Sequence, residues 1–281
     1  MSSNPHLLHP HPDNPIRYAV TPESAGWSYL SFAVVALEPG EQHSSLLTDQ
    51  ETAVVPLRGR ATVRVGDIGA EISRSDVFEE MPRVAYAPPG AAIEIVAGAE
   101  DSFEFAIGSA PAEGLYPARI FEPSEMKSEV RGGGAARRQV NHVLAPPLDA
   151  ERLILYEVYV PRGSWSGWPP HCHDGFDGSP YLEETYYFRL DPADGFAMHR
   201  NWRVDEEFDE VLTAGDGDCA LVTKGYHSTA SAPGSHMFFL NYLAGDLVDG
   251  ERVTPPCFHE AYTWIEDDWD AFGWELPRVT P

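Results

Sequence analysis

The chain is expected to be all-β, with two barrels in tandem, and three observations predict it. Short runs of high strand propensity recur along its 281 residues, as in Ser31–Leu37, Leu153–Val160 and Met237–Tyr242. Apolar spacing of helical period is scarce. The 24 glycines and 25 prolines fall between the runs, where they mark turns between strands. The length suffices for two cores of moderate size.

Taken in order, the chain begins with a polar stretch, Met1 to Asp13, in which prolines separate His6, His9 and His11. It lacks the apolar core of a signal peptide and is expected to be a flexible surface tail. Ser31–Leu37 is the first strong strand, and Glu38-Pro39-Gly40-Glu41-Gln42-His43 turns into a strand series ending at Tyr86-Ala87-Pro88-Pro89-Gly90. The second half repeats that theme with Pro161-Arg162-Gly163 and Lys224-Gly225, so the chain reads as an imperfect duplication. Between the halves lies Arg131-Gly132-Gly133-Gly134 up to Pro147, with the triple glycine either a linker or a tight crossing. This places one barrel at 1–145 and the other at 146–281.

The second barrel carries the chemistry. In Pro169-Pro170-His171-Cys172-His173-Asp174 the prolines enforce an extended approach, and two histidines at i and i+2 on a strand share one face. On a helix they would diverge by roughly 200°. Glu184 opens the strand-forming run Thr185-Tyr186-Tyr187-Phe188, and His227 follows the turn Thr223-Lys224-Gly225-Tyr226. Three imidazoles and a carboxylate make a divalent-metal set, with His171, His173, Glu184 and His227 as the ligands. One residue of register would substitute Glu183 for Glu184. This ligand order resembles that of cupin barrels, and the resemblance implies a bicupin, two double-stranded β-helix (jelly-roll) barrels. Two departures stand out: the ten residues Asp174 to Glu183 exceed the usual spacing and are expected to loop over the barrel mouth, and Thr223 replaces a customary proline. In the first half, Ala91, Ala92 and Ile93 follow the corresponding turn and only His43 is available, so that barrel is expected to lack a metal site.

Composition narrows the partners. A formal net charge of −25 argues against nucleic acid and anionic membranes. Cys172, Cys219 and Cys257 show no C-x-x-C spacing, and Cys172 should face away from the metal. No apolar run approaches membrane-spanning length, and a cytoplasmic protein, paired as a homodimer, is expected.

Beyond the metal motif, Val20 to Trp27, Arg131-Gly132, Trp165-Ser166 with the histidine pair, Leu182 to Tyr187, Gly195-Phe196, Lys224 to His227 and Leu240 to Gly245 closely resemble the 5-deoxy-glucuronate isomerase family of bacterial inositol catabolism. The resemblance runs from about Val20 to Trp269. The chain departs from the family pattern at Cys172, where lysine is common, at Thr223, and at His199, where glutamine is expected.

The resemblance implies an aldose–ketose isomerase that converts 5-deoxy-D-glucuronate to 2-deoxy-5-keto-D-gluconate. A divalent ion, zinc or manganese ahead of iron, nickel or cobalt, would act as Lewis acid and template. Tyr186, inward by alternation from Glu184, either relays a proton or fills the barrel, and Lys224 is the other catalytic candidate. Arg200 is the candidate for the substrate carboxylate, with Lys224 as its rival. His199 and Asn241 are candidates for hydroxyl contacts. The alternatives are a 4-deoxy-5-ketouronate isomerase, a non-haem iron dioxygenase using the same ligands, and a non-catalytic sugar-binding bicupin.

Overall fold

The computed structural model describes residues 4–269. Nearly every regular element is a strand, arranged in antiparallel sheets of nine, seven and five strands. The nine-stranded sheet belongs to the first half and curls around an apolar interior of Val54, Val63, Ile72, Ile95, Phe103 and Phe105.

The seven- and five-stranded sheets face one another and form the second barrel. Val140, Val158, Tyr186, Phe188 and Phe239 from the larger sheet meet Ala197, Leu212 and Ala214 from the smaller. The outer face of the larger sheet packs on the first barrel: Leu155, Tyr187, Phe238, Leu240 and Tyr242 share a core with Leu30, Phe32, Val34, Val55 and Leu57. The strand His236–Gly245 is therefore buried on both faces, which is why it reads as a continuous apolar run rather than an alternating one. The ring of Tyr242 approaches the Gly108 backbone so closely that a Cβ there would lie 2.4 Å from it.

Polar ties cross the same boundary. Arg74 and Glu157 form a fully buried pair, with Nη1 2.7 Å from Oε1. The Glu51 carboxylate accepts from the backbone N–H of Glu151, Arg152 and Leu153. The Glu183 carboxylate accepts from those of Ser28, Tyr29 and Leu30. These two are counterparts, since Glu51 pairs with Ala110 as Glu183 pairs with Ala244.

Two expectations change. The strands Lys127–Arg131 and Arg138–Leu144 hydrogen-bond into the second barrel's sheet, although a division at 145 assigns them to the first. The N-terminal stretch does not hang free. Leu7–Leu8 pairs with Cys219 and Ala220, and His6 and His9 reach Glu210 and Asp218. A short edge strand thus covers backbone groups that the Cys219–Val222 strand would otherwise leave unpaired.

Candidate metal centre

His171 and His173 come from the strand Trp165–Cys172 and the residue after it, Glu184 from Leu182–Asp191, and His227 from Tyr226–Ser231. His171 and His227 are cross-strand partners, with ring centroids 4.4 Å apart. The three imidazoles each offer a nitrogen within 4.8 Å of the others. Glu184 Oε2 lies 3.0 Å from His173 Nε2 and 3.2 Å from His227 Nε2. Glu183, one residue earlier, points to the opposite face and into the inter-barrel tie, so alternation decides which carboxylate meets the histidines. The turn before His227 depends on Gly225, with φ +82° and a backbone that passes so near Trp202 O that a Cβ would clash at 2.2 Å.

The electrostatics suit a cation. Burial works against ionisation of Glu184, yet the hydrogen bond from His173 and the adjacent imidazoles hold its carboxyl well below the usual range. Burial, together with His227 and His173, keeps His171 neutral, with its lone pair free to donate. His173 is pushed down by burial but raised on balance by Glu184. Its Nδ1 is 2.9 Å from Leu182 O, a bond that fixes the ring and turns Nε2 toward the centre. Both nitrogens of the fully buried His227 lack an aligned hydrogen-bond partner. Such an orphaned imidazole beside a carboxylate fits a metal ligand.

His171, His173 and Glu184 open onto a cavity of about 560 Å³, lined also by Arg131, Arg138, Tyr156, Trp168, Tyr186 and Asn241. Tyr186 is inward and buried. Burial and the Glu184 charge push its phenol well above its ordinary pKa, so it stays protonated. Asn241 is its cross-strand partner and donates Nδ2 to Thr185 O at 3.0 Å.

The other candidates are not on the cavity wall. Arg200 lies on the outer face of its strand, pairs with Asp209 at 2.7 Å and stacks over Trp202. Its neighbour His199 faces inward, and two consecutive strand residues cannot share a face. His199 is packed behind the site, 4.7 Å from the Tyr186 ring, with Nε2 2.9 Å from Asn201 Oδ1, and burial lowers it to about 4. Lys224 sits on the outside, paired with Glu206 and lying over the Phe208 ring. Of the Asp174–Glu183 insertion only Leu182 lines the cavity, and Asp174 ties its start to Arg203 and to the Gly225 N–H. The segment Val253 to Phe258, with Glu266 and Trp269, borders the cavity instead.

Against known proteins, the model of the KduI/IolB family matches residues 7–265. The chain belongs to the KduI/IolB family. Among curated KduI/IolB relatives, the 5-deoxy-glucuronate isomerase of Geobacillus thermodenitrificans is 40% identical over 236 residues, covering 81% of this chain and 84% of that protein. The enzyme of the same name from Bacillus subtilis is 33% identical over 88% of this chain and 92% of its own length. An IolB-like protein from Salmonella typhimurium superposes with a TM-score of 0.86 at 33% identity, over 92% of this chain and 98% of that one. Oxalate decarboxylase of Bacillus subtilis shares the bicupin fold, with a TM-score of 0.59 at 14% identity over 85% of this chain and 75% of its own.

Proposed function

We propose that the chain is a 5-deoxy-glucuronate isomerase of inositol catabolism, converting the aldose 5-deoxy-D-glucuronate to 2-deoxy-5-keto-D-gluconate, with its reacting centre at His171, His173, Glu184 and His227. The observation that carries this reading is the convergence of those four side chains on one another, three of them on the wall of one cavity with His227 packed behind, in a chain related along most of its length to isomerases of that name.

His171, His173 and His227, with Glu184, would hold a divalent cation, zinc or manganese before iron, nickel or cobalt. The cation would supply Lewis-acid polarisation and would orient a carbonyl and its neighbouring hydroxyl. The remaining work falls to the protein. The isomerisation moves a proton between adjacent carbons, so a group that can carry one must face them. Tyr186 is the candidate for that role by its place on the cavity wall, two residues along the strand from Glu184. Asn241 holds the opposite position on the paired strand and is suited to a substrate hydroxyl. Phe239, Leu243 and Trp168 give the cavity apolar walls, which limit water near a reactive intermediate. The outward Arg200 and Lys224 take no part in this reading.

The test is turnover of 5-deoxy-D-glucuronate by purified protein, before and after chelation, with single-ion add-back. Loss with the metal and recovery with zinc or manganese supports the reading. Full activity in metal-stripped protein would sink the metal role, and turnover of a 4-deoxy-5-ketouronate alone would move the chain to another substrate.

A further inference from the structure

The cavity is read as taking an anionic sugar into a protein of formal net charge −25, so a local cation must overcome the general field. Among the described residues lining it, two are cationic, Arg131 and Arg138. They are cross-strand partners but differ in their commitments. Arg131 is half exposed and engaged: Nε donates to Glu129 Oε1 at 2.8 Å, and Nη2 lies 3.3 Å from His142 Nε2. Arg138 is mostly buried and, among the described residues, hydrogen-bonds carbonyls alone, Nη1 donating to Ala136 O at 3.0 Å and Trp168 O at 3.4 Å. Glu266, on the same wall, acts on it through space without an ion pair.

The contrast with Arg74 is informative. Arg74 is buried more deeply still, but Glu157 compensates it and its pKa is raised on balance. Burial, with Arg131 beside it, instead lowers Arg138 to about 10. A buried guanidinium without a carboxylate is costly unless a ligand supplies one. Its position is suitable as well. Trp168 O, which it binds, belongs to the strand that leads to His171, and the Arg138 charge acts on Tyr186.

We propose that Arg138 is the carboxylate subsite of this cavity: its guanidinium receives the acid group of a sugar chain whose other end lies at His171, His173, Glu184 and His227. The identity of that sugar acid rests on the isomerase reading, whereas the subsite itself does not. A planar fork whose Nε and Nη2 meet no hydrogen-bond partner among the described residues matches a carboxylate in two-point contact. An aldose lacking the carboxylate leaves the guanidinium unpaired, so Arg138 makes the cavity selective for acids.

The experiment is calorimetric titration of metal-loaded wild type, Arg138→Gln and Arg138→Lys with D-glucuronate and with D-glucose, which has a hydroxymethyl group in place of the carboxylate. Wild type is expected to prefer glucuronate, and Arg138→Gln to lose on the order of 10²-fold in affinity for it alone. Arg138→Lys, which keeps the charge without the fork, is expected to lose about tenfold, again for glucuronate alone, and carries the test if the Gln variant fails to fold. Equal losses for both sugars, no loss for either, or a wild type without preference overturns the assignment. Arg138-dependent glucuronate binding in a protein that leaves 5-deoxy-D-glucuronate unchanged would instead retain the subsite and remove the isomerase reading.

Discussion

The two barrels share a register and differ in what they place inside it. His43 pairs with Ile95 in the first barrel, where His171 pairs with His227 in the second. After the paired glutamates, Glu51 and Glu183, the next residue is Thr52 in one and Glu184 in the other. Thr52 hydrogen-bonds to Ser109 at 2.9 Å, while Glu184 meets two imidazoles. Around His43 the interior is hydrocarbon, and its ring packs 5.6 Å from Phe105. The comparison teaches that one scaffold position serves either an apolar interior or a cluster of imidazoles and a carboxylate according to the side chain on its inner face. What both barrels keep is the outward glutamate that joins them.

The strongest way to break the comparison is to give the second barrel the first barrel's residue. Glu184→Thr is expected to lower turnover by about 10³-fold and to reduce bound metal, read by steady-state assay and elemental analysis. Retention of both would show that the centre does not need its carboxylate.

The inter-barrel ties should be costly to cut from one side. Glu157→Leu alone strands a buried guanidinium and is expected to cost about 3–5 kcal/mol in urea unfolding, whereas Arg74→Met with Glu157→Leu recovers most of it. A double variant as unstable as the single one would show that the tie acts through shape rather than charge. Smaller and similar to each other should be Glu51→Ala and Glu183→Ala, on the order of 3 kcal/mol apiece, because each frees three backbone N–H groups. Unequal costs would end their equivalence.

His43→Leu should have the least effect, with turnover unchanged and stability shifted by under about 1 kcal/mol. Burial lowers the His43 pKa, so as pH falls the unfolded chain takes up the proton first. Its contribution is present above about pH 6.5 and fades as pH falls through the folded value, so the leucine variant should lose less stability between pH 7.5 and 5.5. Identical pH slopes would remove His43 as a titrating interior group.

The cluster of His171, His173, Glu184 and His227 was legible because its signal is local. Histidines two apart, a carboxylate opening a strand and a histidine after a glycine turn are all set by strand alternation over a few residues. Arg200 was misjudged because the parity of its strand depends on pairing with partners that sequence spacing does not reveal. Arg138 was missed for a different reason: it lies within 1–145, and only the pairing of Arg138–Leu144 with Ile154–Val160 makes it part of the second barrel's wall. The N-terminal histidines looked solvated because nothing nearby in sequence is their partner, whereas Glu210 and Asp218 are two hundred residues away.

By itself the sequence determined that the protein is built from short strands in two barrels, that one barrel bears three histidines and a glutamate, and that the family is that of 5-deoxy-glucuronate isomerases. Those features are carried by alternation, turn residues and motif spacing, which act over short stretches of chain. The tertiary structure decided which glutamate faces the centre, which arginine reaches the cavity, where one barrel ends and the other begins, and how the two are tied. Each of these depends on long-range strand register, and a shift of one residue there reverses the face of every side chain on the strand.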